Sequence, residues 1–158
     1  MLGQKLIELV KQIKSLTKGR FISTAESCTG GLVSSYLTSI SGSSDYFANG
    51  IVSYSNATKM KLLNVNSATL YEFGAVSEEV AKEMAVGSLK VAGSDIALSI
   101  TGVAGPVGGT KNKPVGMVCF GIVTNDKAKA VTHYFSGTRK EIRQKSCEVC
   151  FRLILDIL

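Results

Sequence analysis

Three side chains in this sequence have the types needed to open an amide or ester by nucleophilic attack: Ser27, Tyr54 and Lys59. A serine hydroxyl is a weak nucleophile until a base removes its proton. A lysine amine can be that base when burial or nearby positive charge lowers its pKa. A tyrosine beside it can orient or relay the proton. Ser27 sits in Thr24-Ala25-Glu26-Ser27-Cys28-Thr29-Gly30-Gly31, between an apolar strand and an amphipathic helix. Such a turn exposes a side chain and leaves backbone N–H groups unpaired, and its glycines admit close approach. Amides of the stretch 27–31 are therefore candidates for holding an oxyanion. The same octet also fits a plain helix cap by Ser27 or Thr29, with Tyr54 at the edge of the core and Lys59 in solvent.

Other nucleophiles and bases fit less well. Cys28 is favoured by the helix N-terminus, but it neighbours Ser27, so its side chain points elsewhere, and cysteine is commonly a small buried residue. Glu26 fits either a role orienting the turn or a hydrogen bond to a ligand hydroxyl. His133, the single histidine, falls in an expected strand with no evident carboxylate partner, which argues against a Ser-His-Asp triad.

The elements that must position these groups follow from periodicity. Leu2, Leu6, Leu9, Ile13 and Leu16 predict the buried stripe of a first helix. A strand over 20–25, a helix over 29–39, a polar turn over 42–45 and a strand over 48–55 come next. Asn56 is placed to cap a short helix running to Leu63 and carrying Lys59 near its start. Ser77-Glu78-Glu79 opens a helix whose inner side is Val80, Met84, Gly87 and Val91 and which stops at Gly93. A strand over 95–101 reads as covered on both faces. Strands over 115–124 and 130–135, joined by Asn125-Asp126-Lys127, predict at least one antiparallel pair. Thr138-Arg139-Lys140-Glu141 has capping-box spacing and opens the last helix, where free amides and Arg139 make a good place for an anion. Its inner side is Ile142, Val149, Cys150, Leu153, Ile154 and Ile157. The order predicts an α/β chain: a single-domain, three-layer α/β/α sandwich on a mixed β-sheet.

Composition narrows the classes. The chain has 158 residues, 45% of them hydrophobic, enough for one well-filled core and too apolar for disorder. No charge-free apolar run is long enough to span a bilayer, and Lys5, Glu8, Lys11 and Lys14 interrupt any signal-peptide pattern. A cytoplasmic protein without membrane contact is expected. The net charge of +6 is spread along the chain. With no basic-aromatic motif, an anionic small molecule suits it better than nucleic acid. Cys28, Cys119, Cys147 and Cys150 form no convincing disulfide framework. Cys147 and Cys150 have CxxC spacing inside a helical pattern, with one of them read as core, and the ligands for a zinc site are missing. No metal is expected.

The loop Gly102-Val103-Ala104-Gly105-Pro106-Val107-Gly108-Gly109 follows a strand but matches neither a dinucleotide fingerprint nor a P-loop. Together with the Ser27 octet it carries a resemblance. The octet, Gly42-Ser43-Ser44, Tyr54-Ser55-Asn56 with Lys59, Gly74-Ala75-Val76-Ser77, Thr101 to Gly109, Lys113-Pro114-Val115-Gly116 and Phe135-Ser136-Gly137 with Arg139 resemble the CinA C-terminal-domain family, the nicotinamide-nucleotide amidases. These ordered motifs cover nearly the whole chain. The resemblance implies hydrolysis of the carboxamide of nicotinamide mononucleotide to nicotinate mononucleotide and ammonia, without metal or cofactor. Ser27 would be the nucleophile, Lys59 its base and Tyr54 an assistant. Candidate substrate contacts on the turn are Glu26, Thr29, Gly30 and Gly31. Beyond it they are Thr101, Gly102, Gly105, Gly108 and Gly109, with Arg139 for the ribose-phosphate. Val107 departs from the Asp or Gly often found there, and the extra N-terminal domain of longer members is expected to be absent. A homodimer is implied by the resemblance alone. Two rival readings are a nucleotide-binding module that keeps the fold without turnover and a Ser-Lys hydrolase of another amide.

Overall fold

Side-chain alternation along the strands decides how the layers stack. In the computed structural model, which describes residues 1–158, β1 (Ile22–Glu26) is buried throughout, as is β3 (Ile96–Gly102) except at its last residue. Ile22, Ile96, Leu98 and Ile100 face one core, which they share with Val118, Phe120 and Phe151. Ala25 faces a second, smaller cluster with Leu63, Val65, Val80 and Met84. The five strands lie in the order β2-β1-β3-β4-β5, where β2 is Phe47–Val52, β4 Met117–Thr124 and β5 Ala128–Tyr134. β1 runs parallel to both its neighbours, and the β3–β4 and β4–β5 pairs are antiparallel. The sheet is mixed, as expected, because a parallel left half and an antiparallel hairpin share β3.

Helices α1 (Leu2–Thr17), α2 (Leu32–Leu37) and α6 (Arg139–Ile157) cover one face. α5 (Glu78–Ala92) covers the other, with α3 (Asn56–Leu63) and α4 (Ser67–Phe73) packed on it. The result is the three-layer sandwich. Helix α5 comes close to the sheet because the residues beneath it are small. The Ser99 hydroxyl donates to the Ala81 carbonyl, and a Cβ on Gly121 would collide with that carbonyl. Gly87, on the helix's other side, touches the Leu63 carbonyl at the end of α3 with no room for a side chain.

Several expectations shift. On α1 the buried stripe is Leu6, Leu9, Val10, Ile13 and Thr17, while Leu16 is 41% exposed: the helix turns Thr17 inward and caps its own carbonyls with Arg20. β1 begins at Ile22, since the Phe21 amide is taken by the Asp95 carboxylate. α2 begins at Leu32 rather than Thr29, because Gly30 (φ 56°) and Gly31 (φ 97°) are left-handed and hold 29–31 out of the helix. Ser55, not Asn56, caps α3, its hydroxyl accepting from the Thr58 amide. On α5, Ser77 and Gly93 bound the helix as expected, but Val91 is solvent-facing. The short α4 was not foreseen. The capping box of α6 is present, and Cys147 and Cys150 are both core residues rather than one of them. All four cysteines are free thiols.

Candidate active site

The catalytic candidates meet where β1 and β3 end side by side. Ser27 follows β1 directly, and its amide donates to the Ile100 carbonyl of β3 at 2.9 Å. On the other side, the Ser53 amide donates to the Glu26 carbonyl at 2.8 Å, which carries the β1–β2 ladder past the end of β2. The segment then turns into α3, whose first turn delivers Lys59. Three parallel strand ends thus fix the backbone on which the site is built, the usual place for one in an open α/β sheet.

Lys59 Nζ lies 3.0 Å from Ser27 Oγ, 2.8 Å from the Ser53 carbonyl and 3.5 Å from the Tyr54 carbonyl. The side chain is 1% exposed and forms no ion pair. Burial, opposed in part by Cys28, lowers the amine from its ordinary 10.5, because desolvation disfavours the charged form. A neutral amine has two N–H donors and one lone pair. In the structure the amine donates to the Ser27 hydroxyl as well as to the Ser53 carbonyl; in the neutral form its lone pair can accept the Ser27 proton instead.

Cys28 lines the same cleft but is a poor competitor. Burial pushes its thiol up to about 12, so the thiolate is scarce at neutral pH. Glu26 is corrected outright as a substrate contact. It is wholly buried, and its carboxylate accepts from the amides of Gly31, Val33 and Ser34 and from the Ser34 hydroxyl at 2.7–3.1 Å. Gly31, the N-cap of α2, has no side chain to serve those amides, so Glu26 reaches across from β1 to do it.

The turn's amides divide accordingly. Those of Ser27, Gly30 and Gly31 are consumed by Ile100, Ser27 and Glu26. The amides of Cys28 and Thr29 donate to no other residue, and since only Cys28 of the two lines the cleft, its amide is the one available to an oxyanion. Thr29 itself is buried, its hydroxyl unpartnered, and its carbonyl is held by Arg143 from α6 at 2.7 Å. Thr29, Gly30 and Gly31 therefore shape the turn and do not line the cleft.

The cleft beside Ser27 has a volume of ≈ 300 Å³. Its walls are Cys28, Tyr54, Val76 and Arg139, and loop residues 102–105, 107 and 108. Gly102, Gly105 and Gly108 are thus brought to the site as expected. Thr101 and Gly109 are not. The Thr101 hydroxyl is tied to the Ala75 carbonyl at 2.8 Å, and Gly109 packs against the Val115 backbone, where a Cβ would lie 2.7 Å from its nitrogen. Val107, 82% exposed, stands at the mouth. Val76 was quoted in the sequence motif without a role and now forms a wall, and the Ser53 carbonyl was not foreseen at all, since backbone acceptors carry no sequence signal.

Tyr54 is 61% exposed. Its hydroxyl accepts from Arg139 Nη2 at 2.9 Å and bonds to neither Ser27 nor Lys59. Arg139 Nη1 donates to the Gly105 carbonyl at 2.7 Å. The α6 N-terminus offers fewer free amides than its sequence suggested, because those of Thr138 and Glu141 are used in the capping box. His133 is exposed and stacks on Phe135 with ring centres 5.8 Å apart, away from the site. A larger cavity of ≈ 390 Å³ lies at the opposite end of the sheet, among Arg20, Asp95, Asp126 and Asp156, with no serine or cysteine in its lining. No helix is long and apolar enough to cross a membrane.

Comparison with known proteins agrees with this fold. The family profile described as the CinA C-terminal domain matches residues 4–158. The chain is 47% identical over 146 residues to a nicotinamide-nucleotide amidohydrolase, PncC, of Enterobacter agglomerans, covering 90% of this chain and 89% of that one. It is 50% identical over 139 residues to a CinA-like protein of Endomicrobium trichonymphae, but spans 32% of that longer protein. Among solved structures, a CinA superfamily protein of Escherichia coli superposes with a TM-score of 0.93 at 30% identity, covering 97% of this chain and 90% of that one. The protein CihA of Agrobacterium tumefaciens gives 0.90 at 38%, covering 96% and 94%.

Proposed function

The chain belongs to the CinA C-terminal-domain family, and on that premise we propose that it is an amidohydrolase converting nicotinamide mononucleotide to nicotinate mononucleotide and ammonia through Ser27. The name of the similar Enterobacter agglomerans protein supplies the substrate. The observation that carries the chemistry is the buried Lys59 amine 3.0 Å from Ser27 Oγ.

Lys59 accepts the Ser27 proton as Oγ attacks the carboxamide carbon. The negative charge that gathers on the carboxamide oxygen is met by the Cys28 amide. The tetrahedral intermediate collapses by breaking its C–N bond, and the ammonium of Lys59 returns a proton so that ammonia leaves. Water then attacks the acyl-Ser27 ester while Lys59 takes its proton, and Ser27 leaves as the hydroxyl. The net reaction is carboxamide plus water to carboxylic acid plus ammonia. Burial of Lys59 favours the neutral form of the amine, and Arg139 with the 102–108 loop faces the substrate's anionic end. By this reading, homologous pairing into a dimer adds nothing to the catalytic set, all of which one chain supplies.

The test is ammonia release from nicotinamide mononucleotide by the parent protein and by Ser27→Ala, both in the presence of a chelator. Release by the parent alone is expected. Equal release by both removes Ser27 from the mechanism. No release by a folded parent that still binds the mononucleotide selects a binding module, and release from another amide in a panel selects a different substrate.

A further inference from the structure

Tyr54 is the one member of the sequence triad whose side chain the structure directs elsewhere. Its hydroxyl makes no hydrogen bond to Ser27 or Lys59. The contact Tyr54 offers Lys59 is its backbone carbonyl, which any residue would supply. The hydroxyl instead holds Arg139.

Arg139 is the first residue of α6. Its two terminal nitrogens are splayed between opposite walls of the cleft: Nη1 on the Gly105 carbonyl of the glycine loop, Nη2 on the Tyr54 hydroxyl at the β2–α3 corner. All three residues line the cleft. Arg139 has no carboxylate partner, since the ion pairs of the chain are Lys5–Glu148, Lys11–Glu8 and Arg152–Glu148. Both its contacts are neutral acceptors that set the orientation of the guanidinium and leave its charge unbalanced. A guanidinium has more N–H donors than these two contacts use, and the rest suit an anionic oxygen pair. An arginine on a free helix end would sample many rotamers. Held at both ends, it loses less entropy when an anion arrives.

We infer that the Tyr54 hydroxyl is a positioning group for anion recognition, orienting Arg139 toward the substrate phosphate, and is no part of the proton path between Ser27 and Lys59. This rests on the amidase reading for its kinetic readout. Nothing in it alters the Ser27–Lys59 chemistry, so the two assign different kinetic signatures to one side chain. A relay contributes to kcat on every amide substrate. A positioning group contributes to KM, and only where the substrate carries the phosphate.

The experiment compares the parent, Tyr54→Phe, Arg139→Ala and the double variant on nicotinamide mononucleotide and on nicotinamide riboside, which lacks the phosphate. Calorimetric binding of the mononucleotide is measured for each in a Ser27→Ala background. The expected result is a rise in KM and Kd of about three- to tenfold for Tyr54→Phe with the mononucleotide, larger than any fall in kcat. The rise is absent with the riboside. The double variant is no weaker than Arg139→Ala alone, because the hydroxyl acts through the arginine. A kcat loss of tenfold or more on both substrates, with Kd unmoved, overturns the inference and returns Tyr54 to the proton path. Additive losses in the double variant overturn it too. If the parent releases no ammonia, the amidase reading fails by itself, and the binding arm still decides the role of Tyr54.

Discussion

Replacing Lys59 with methionine isolates the base from the fold. The two side chains are similar in length, so the space behind Ser27 stays filled while the amine is lost. No neighbour can take over its function. Glu26 is saturated by four donors of α2, the Cys28 thiol is pushed up to about 12, and His133 is exposed on β5 and stacked on Phe135. The full contribution of a general base should therefore disappear, about 10²- to 10⁴-fold in kcat, or about 3–5 kcal/mol in the barrier. Stability should move little. The Ser53 carbonyl loses its donor, at about 1–3 kcal/mol for a buried polar group left unpaired. Against this, the desolvation of an amine 1% exposed is removed. With about 2–4 °C per kcal/mol for a chain of this size, the expected change in melting midpoint is within about 5 °C of the parent. Ammonia release and a thermal melt, run side by side, measure both quantities. A well-folded Lys59→Met that retains turnover within tenfold of the parent refutes the assignment of the base.

Further outcomes follow from neighbouring groups. Because burial lowers the Lys59 amine below 10.5, kcat/KM of the parent should rise with pH along a limb centred below 10.5. Between the folded and unfolded values the unfolded chain binds the extra proton, so parent stability relative to Lys59→Met should climb with pH across that window; a flat difference in melting midpoint counts against it. Glu26→Gln places an amide nitrogen among donors and should lower the melting midpoint by several degrees, corresponding to about 1–3 kcal/mol, with an unchanged melt as the contrary result. Iodoacetamide at neutral pH should alkylate Cys28 far more slowly than a solvent-exposed thiol, since burial pushes the Cys28 thiol up to about 12; rapid labelling in the native state, read by mass spectrometry, contradicts the burial argument. Gly87→Ala should destabilise by more than about 2 kcal/mol, because its Cβ meets the Leu63 backbone and neither helix can yield without moving α3; a melt within a degree of the parent disproves that close contact.

The candidate nucleophile and candidate base could be singled out because their signals are local. A serine between an apolar strand and a Gly-Gly helix start, and a lysine on a short helix after a strand, can be placed from periodicity, and the resemblance joined them. What decided the remaining residues was distance through space. Glu26 read as a polar neighbour of the nucleophile. Its role became visible only once the left-handed Gly30 and Gly31 folded α2 back over β1. Thr101 sits in a loop motif, yet its hydroxyl is drawn to Ala75 by the packing of α5. The Tyr54 hydroxyl and Arg139 are far apart in sequence, and their contact exists because α6 starts beside the β2–α3 corner. Helix α4 escaped notice because its seven residues have no buried member to give a period. Leu16 and Val91 were assigned to buried stripes by spacing alone, and each lies just beyond the arc that its helix presents to the core.

The order of the strands has a consequence for how the protein loses activity. Ser27 is anchored between β1 and β3 in the middle of the sheet, whereas Lys59 arrives by way of β2, an edge strand, half of whose residues are exposed. Edge segments open with less free energy than central ones. Detachment of β2 and α3 would carry the amine away from a nucleophile that remains in place, with the large core and α6 still intact. Heat or mild denaturant should therefore silence turnover before the bulk of the backbone amides lose protection, and cooling should restore it without refolding of the whole chain. Activity would thus last only as long as that edge strand stays docked.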